Sequence, residues 1–319
     1  MHKLKNILSQ PKVLTIAIAA IAIILIISFQ EKPSGMEIIP DTPAPAASDS
    51  EENKLSQESN TENHDEDPIT DKNIVNILLI GQDKRPGEEN SRSDTMIIAT
   101  INKKNNSIKL ISLMRDMYVH IPDYGFNKIN AAYAFGGTDL LDKTVEKNFL
   151  INIDGSVEVD FSGFEKIIDT IGGVDIELNK DEAYYLSKVK GLKLTEGKNR
   201  LTGEIALEYA RIRYIGNDDY ERTERQRNVL VSVFNEIKAS NLKTLLELAD
   251  EILPLIATNL TNTQILSLVT RTVLMDVSAI ETYRIPADGT FTPDTIYEMS
   301  VLVPNLTTNR ELIKEYMGY

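Results

Sequence analysis

Five of the chain's 12 arginines fall between positions 211 and 227: Arg211, Arg213, Arg222, Arg225 and Arg227. Planar guanidinium groups bind phosphate oxygens two at a time, and several that converge suit a pyrophosphate. Arg211 and Arg213 are expected at a helix C-terminus, and Arg222 and Arg225, three apart, on one face of the next helix. Local pairing with Asp218, Asp219, Glu221 and Glu224 would account for the same cluster. Asp83 follows a strand-like run and Asp94 opens the next, so neighbouring strands would bring both carboxylates to one sheet edge. Paired carboxylates suit Mg²⁺, which keeps several waters and takes substrate phosphate oxygens, although Asp at strand ends is also ordinary turn chemistry. Arg115 could enter the same cleft or pair with Asp116. Lys128, expected on a loop entering a helix, could contact phosphate or stand alone on the surface. Together these residues point to phosphoryl transfer: a cation to offset diphosphate charge, arginines for the leaving group, and a carboxylate to take the nucleophile's proton.

Other chemistry is excluded by what the chain lacks. Its 319 residues hold no cysteine and three histidines, His2, His64 and His120, so thiolate sites and multi-histidine metal centres are out. There is no Walker-A loop. The net charge of −14 divides into +3 over residues 1–29, −9 over 30–72 and −8 over 73–319, which argues against a nucleic-acid partner.

The elements that must position these residues read as follows. Residues 13–29, VLTIAIAAIAIILIISF, are uncharged and follow Lys3, Lys5 and Lys12. They are expected to form one transmembrane signal-anchor helix, with residues 1–12 as a short cytoplasmic tail and the remainder outside. Residues 30–72, acidic and proline-bearing, read as a disordered linker. Strands are expected at 73–81, 95–102, 107–114, 118–121, 157–161, 174–178 and 280–285. Helices are expected at 138–149 behind a Thr138 cap, at 162–171 behind a Ser162 capping box, from a Thr202 cap to Ala210, and over 221–239, 242–256, 263–274 and 309–317. This alternation predicts a single α/β domain over 73–319.

The order of motifs resembles the LytR–CpsA–Psr family of Gram-positive cell envelopes: NILLIGQD ending at Asp83, RSDTM from Arg92, SLMRD with Arg115, KINAAYAFGG from Lys128, GGVDI from Gly172, LTGEIALEYARIR ending at Arg213, and DYERTERQR from Asp219. Two departures are Met114, where the family usually has proline, and Asn217-Asp218 ahead of Asp219, where it usually has glycine. The resemblance implies a three-layer α-β-α domain with a central mixed sheet. It implies transfer of an anionic glycopolymer, wall teichoic acid or capsular polysaccharide, from undecaprenyl pyrophosphate to a peptidoglycan sugar hydroxyl at the outer face of the cell membrane. A prenyl-pyrophosphate pyrophosphatase and a non-catalytic prenyl-phosphate-binding regulator are the alternative activities. By the same resemblance, Asp83 and Asp94 hold Mg²⁺ (or Mn²⁺), and Asp94 also assists deprotonation of the acceptor. Arg92, Arg115, Lys128, Arg211, Arg213, Arg222 and Gln226 hold the pyrophosphate, and Asp219 supports Arg222. Arg92, Arg115 and Asp219 count with Asp94 as the catalytic set.

Overall fold

The computed structural model describes residues 67–82, 93–213, 215, 219–239, 251–252, 255–261, 263–264, 268, 275, 277 and 280–319. The expected membrane span, almost all of the linker, Asp83, Arg92 and most of 240–279 lie outside these residues. Among the described residues no helix is long and apolar enough to cross a membrane.

Every residue of β1 (Ile74–Gln82) and β2 (Ser93–Asn102) is buried, because both strands lie inside a sheet covered on its two faces. These strands pair antiparallel, and β2 pairs antiparallel with β3 (Ser107–Leu113). On the other side β1 runs parallel to β6 (Gly155–Asp160), which carries β9 (Ile256–Thr258) as an antiparallel edge; β10 (Ile280–Ile285) adds parallel to β3. The result is a mixed six-stranded sheet in the order β10-β3-β2-β1-β6-β9.

Side chains that alternate along β1 feed two cores. Ile77 and Leu79 join one with α2 (Phe161–Thr170), α4 (Gly203–Ala210) and α5 (Asp219–Ala239). Leu78 and Ile80 join the other with α1 (Ala131–Phe149) and α6 (Leu306–Met317). This is the expected α/β fold with a central mixed sheet flanked by helices. Three two-stranded ribbons complete it: β4 (Tyr118–Ile121) with β5 (Gly125–Lys128), β7 (Val174–Leu178) with β8 (Gly197–Leu201), and β11 (Phe291–Ile296) with β12 (Met299–Pro304). Residues 67–72, at the end of the expected linker, are already attached, since Ile69 bonds to the backbone of Leu150 and Asn152.

Several local expectations are corrected. α1 begins at Ala131, seven residues before Thr138, and is broken at Gly136 and Gly137. Gly137 has φ 64° and ψ −156°, a conformation essentially confined to glycine. The cap of α2 is Asp160, which accepts from the Gly163 N–H, and Ser162 falls inside the first turn. Ile256 begins β9, paired with Val159, where a helix was expected. Lys128 ends β5, opposite Tyr118, and is not in a loop. α3 (Lys180–Lys190), with a full Asn179–Glu182 capping box, was not anticipated.

Thr202 precedes α4 as expected but makes no side-chain cap; Asp169 of α2 accepts the Gly203 N–H instead, at 2.7 Å. α2 and α4 touch so closely here that a Cβ on residue 203 would meet the Glu165 carbonyl oxygen at 2.1 Å. Gly203→Ala is therefore expected to destabilise the domain by about 2–3 kcal/mol. An unchanged denaturant midpoint would contradict so close an approach.

On the other face, Asp142 of α1 accepts from Ser156 Oγ at 2.5 Å and from Asn259 Nδ2 at 3.3 Å, tying α1 to β6 and the segment after β9. Burial pushes its pKa up to about 6, with Glu146 and Asp139 adding to the rise and the two hydrogen bonds opposing it. Because the folded pKa lies above the unfolded one, the folded state holds the extra proton between about pH 4 and 6. Stability is then highest at the acid end of that window and falls by up to about 3 kcal/mol across it. Thermal unfolding between pH 4.5 and 7 should show this slope and Asp142→Asn should flatten it; a variant that keeps the slope would assign it elsewhere.

Candidate active site

The carboxyl end of β1 and the start of β2 meet at an irregularity. Gly81 pairs with Thr95 and Gln82 with Ser93, which leaves Asp94 as the extra residue on β2. Such a bulge re-aims a side chain out of the regular ladder. The Asp94 side chain is 2% exposed. Its Oδ1 accepts from Arg115 Nη1 at 2.7 Å, while Oδ2 is buried with no hydrogen-bond partner.

Arg115 follows β3 and reaches two acids. Besides Asp94, its Nε lies 3.5 Å from Asp116 Oδ2. Asp116 in turn accepts from Lys128 Nζ at 2.7 Å. Burial alone would raise the Asp116 pKa, but the Lys128 hydrogen bond and the charges of Arg115, Lys128 and Arg222 hold it below the ordinary value. Asp94, Arg115, Asp116 and Lys128 thus form one charged chain, in which Arg115 makes the expected pair with Asp116 and a second, unanticipated one with Asp94.

A pocket lies beside this chain, with walls from β2 (Asp94, Thr95), β3 (Ser112) and α5 (Arg222, Thr223, Gln226), together with Arg115. Met96, Leu113 and Met114 line its apolar part. Arg222 is 2% exposed, and Gln226 Nε2 and Thr95 Oγ1 are buried without hydrogen-bond partners. Unpartnered buried groups such as Gln226 Nε2, Thr95 Oγ1 and Asp94 Oδ2 cost free energy unless something bonds them, so the cluster fits a ligand that supplies acceptors to α5 and a cation or donor to Asp94.

Arg225 does not share the face of Arg222 in function. It is 3% exposed and fully engaged: Nε donates to Glu182 Oε1 at 2.7 Å, Nη2 to Glu221 Oε2 at 2.9 Å and to the Ile215 carbonyl at 3.0 Å, and Nη1 to the Ile212 carbonyl at 2.9 Å. Of the expected local pairs this arginine makes the one with Glu221, while its buried carboxylate partner, Glu182, lies 43 residues away. Its bonds to Ile212 and Ile215 clasp the backbone on both sides of Arg213. Arg211 caps the end of α4, its guanidinium 5.5 Å from the Phe161 ring, and among the described residues neither Arg211 nor Arg213 is part of the pocket wall. Asp219 opens α5, but its side chain, like Asp83 and Arg92, lies outside what is described.

The profile of the LytR_cpsA_psr family matches residues 43–315. The chain belongs to the LytR_cpsA_psr family. It is 34% identical over 256 residues to the Regulatory protein MsrR of Staphylococcus aureus (strain COL), covering 78% of this chain and 76% of that one. It is 36% identical over 248 residues to the polyisoprenyl-teichoic acid–peptidoglycan teichoic acid transferase TagU of Bacillus cereus, covering 76% and 79%. Among solved structures, TagT with bound octaprenyl pyrophosphate lipid is similar at 25% identity and a TM-score of 0.61, covering 79% of this chain and 94% of that one.

Within this LytR_cpsA_psr domain the departure at Met114 has a local reason. The Met114 N–H donates to the Ile285 carbonyl at 2.9 Å, tying β3 to β10, and proline has no N–H with which to do so. Pocket residues that the sequence did not single out are Thr95, Ser112 and Thr223, because lone hydroxyl residues in strands and helices carry no spacing signal. The role of Glu182 was legible in principle, since Asn179 and Glu182 stand at capping-box spacing.

Proposed function

We propose that this protein transfers a lipid-linked glycopolymer, wall teichoic acid or capsular polysaccharide, from a polyprenyl pyrophosphate to a peptidoglycan sugar hydroxyl. The observation that carries the reading is the juxtaposition of an Asp94 carboxylate, held through one oxygen by Arg115, with buried cationic and amide groups of Arg222 and Gln226 around one pocket. The TagU name and the octaprenyl pyrophosphate bound to TagT supply the substrate class.

Arg115, Arg222 and Gln226 would bind the pyrophosphate oxygens and stabilise the charge that develops on the prenyl phosphate as it leaves. Arg92, Arg211 and Arg213 would join them, with Lys128 acting through Asp116. The acceptor hydroxyl oxygen attacks the phosphorus that carries the glycan, a new phosphodiester forms, and the bond to the bridging oxygen breaks, releasing prenyl phosphate. The hydroxyl proton passes to Asp94 Oδ2.

Asp94 Oδ2, buried and without a donor, also fits a hard cation, so Asp83 and Asp94 are the residues that would hold Mg²⁺ (or Mn²⁺). Bound there, the ion would neutralise pyrophosphate charge; Oδ2 has a second lone pair for the proton. The 13–29 segment would anchor the chain by a single pass, N-terminus inside, with the domain on the outer face and the acidic linker between.

The test uses the full chain in detergent with Mg²⁺, a polyprenyl-pyrophosphate-linked radiolabelled glycan and peptidoglycan oligomers. Label is expected on peptidoglycan through a phosphodiester. Label released only as soluble phosphorylated glycan would replace transfer with hydrolysis, and tight lipid binding without turnover would favour a prenyl-phosphate sensor.

A further inference from the structure

Between α5 and the sheet, Arg227 is 7% exposed and pairs with no carboxylate of the described residues. Among the described residues its one hydrogen bond runs from Nη1 to Ser112 Oγ at 2.8 Å, and its buried Nε has none. Burial draws its pKa down to about 10, Glu224 attracts it and Arg284 opposes it, so the guanidinium stays charged at neutral pH. A buried cation without a counter-ion is costly, and such groups persist where something else completes them.

Ser112 stands between this cation and the pocket. It is 1% exposed, lies on β3 opposite Ile97, and lines the pocket together with Asp94, Arg115, Arg222 and Gln226, whereas Arg227 is not part of that wall. Arginine has donors and no acceptor. The hydroxyl proton of Ser112 therefore cannot point back at Arg227, and no described side chain or carbonyl accepts it. An oxygen that accepts from a cation is also a stronger donor through its own proton, because the two bonds polarise one another.

We propose that Ser112 is a further pyrophosphate-binding residue, its hydroxyl donating to a phosphate oxygen in the pocket, and that Arg227 is the positioning residue that orients and polarises it from behind. The assignment rests on the pyrophosphate reading above. It gives the ligand a hydroxyl contact from β3 to set against those from α5, and it places the anion's charge one hydroxyl away from the buried Arg227 guanidinium.

Binding of polyprenyl pyrophosphate to the full chain in detergent micelles tests it. Ser112→Ala is expected to raise Kd about 10-fold, with a melting temperature within a few degrees of wild type. Arg227→Met is expected to weaken binding at least as much and to lessen its salt dependence. Arg227→Lys, whose ammonium can still donate to Ser112 Oγ, should bind within about threefold of wild type. Arg115→Ala and Arg222→Ala serve as reference variants for the site itself. If they weaken binding and Ser112→Ala does not, the proposal is overturned while the pyrophosphate site stands. If neither they nor Ser112→Ala changes Kd, the pyrophosphate reading fails and this assignment fails with it. A Ser112→Ala protein that melts lower but binds normally gives the hydroxyl a structural role only, which also overturns the proposal.

Discussion

Asp94→Asn should transfer glycopolymer at least about 10²-fold more slowly than wild type, while binding polyprenyl pyrophosphate within about threefold of it. Asparagine keeps the shape of the side chain and can present its carbonyl oxygen to Arg115 Nη1, so the bond that holds this position survives in neutral form. The amide nitrogen that replaces Oδ2 carries hydrogens outward. It can accept no proton and ligate no cation, and these are the two tasks assigned to that oxygen. With lipid binding measured in the absence of divalent cations, removing a negative charge from a pocket that binds an anion does not weaken the ground state. The loss should therefore fall on kcat and leave lipid affinity nearly untouched. Single-turnover transfer and direct lipid binding, measured on one preparation, separate the two. Transfer within about fivefold of wild type would exclude Asp94 as the reacting carboxylate; loss of lipid binding in step with transfer would make it a scaffold residue.

Arg225→Met should cost about 3–5 kcal/mol of stability, a large share of what a domain has. The guanidinium makes four bonds, and its removal leaves the buried Glu182 charge without its counter-ion and strands Oε1 together with the Ile212 and Ile215 carbonyls. For a domain of this size the melting temperature should fall by roughly 10 °C or more. Arg225→Met with Glu182→Leu removes both charges and should recover much of that loss, since a buried ion pair replaced by apolar groups of similar volume is often close to neutral. The double variant still lacks the clasp on the two carbonyls that flank Arg213, so polyprenyl pyrophosphate affinity should stay low after stability returns. A single variant that loses less than about 1 kcal/mol would refute the clasp as an anchor, and full recovery of lipid affinity in the double variant would separate it from the site.

The strands of the central sheet and the long helices were legible in the sequence because their signals are local. The run 74–82 is mostly apolar and buried on both faces, and 107–113 alternates apolar Ile108 and Leu110 with polar Ser107 and Lys109 before its buried end, which are two local signatures of a strand. The arginine cluster and Asp94 stood out by type and spacing, Asp83 lies outside the described residues, and the ordered motifs placed the chain in its family. The hairpin of β11 and β12 was not. It turns through Tyr297 and Glu298, both at positive φ, with none of the glycine or asparagine that usually marks such a turn. The caps of α2 and α4 also went elsewhere: Asp160, one residue before α2, and Asp169 of the packed neighbouring helix accept the N–H groups of Gly163 and Gly203.

What the sequence by itself determined was the α/β fold, the family and an inventory of arginines and carboxylates with no cysteine among them. The division of labour among those arginines was decided by tertiary structure. Arg222, Arg225 and Arg227 stand within six residues on one helix, yet one lines the pocket, one clasps a loop and one backs a serine. The three side chains are chemically identical, and the helix turns about 100° per residue. Which partner each meets depends on what the sheet, α3 and the loop after α4 bring to that side, and those elements lie up to 115 residues away along the chain.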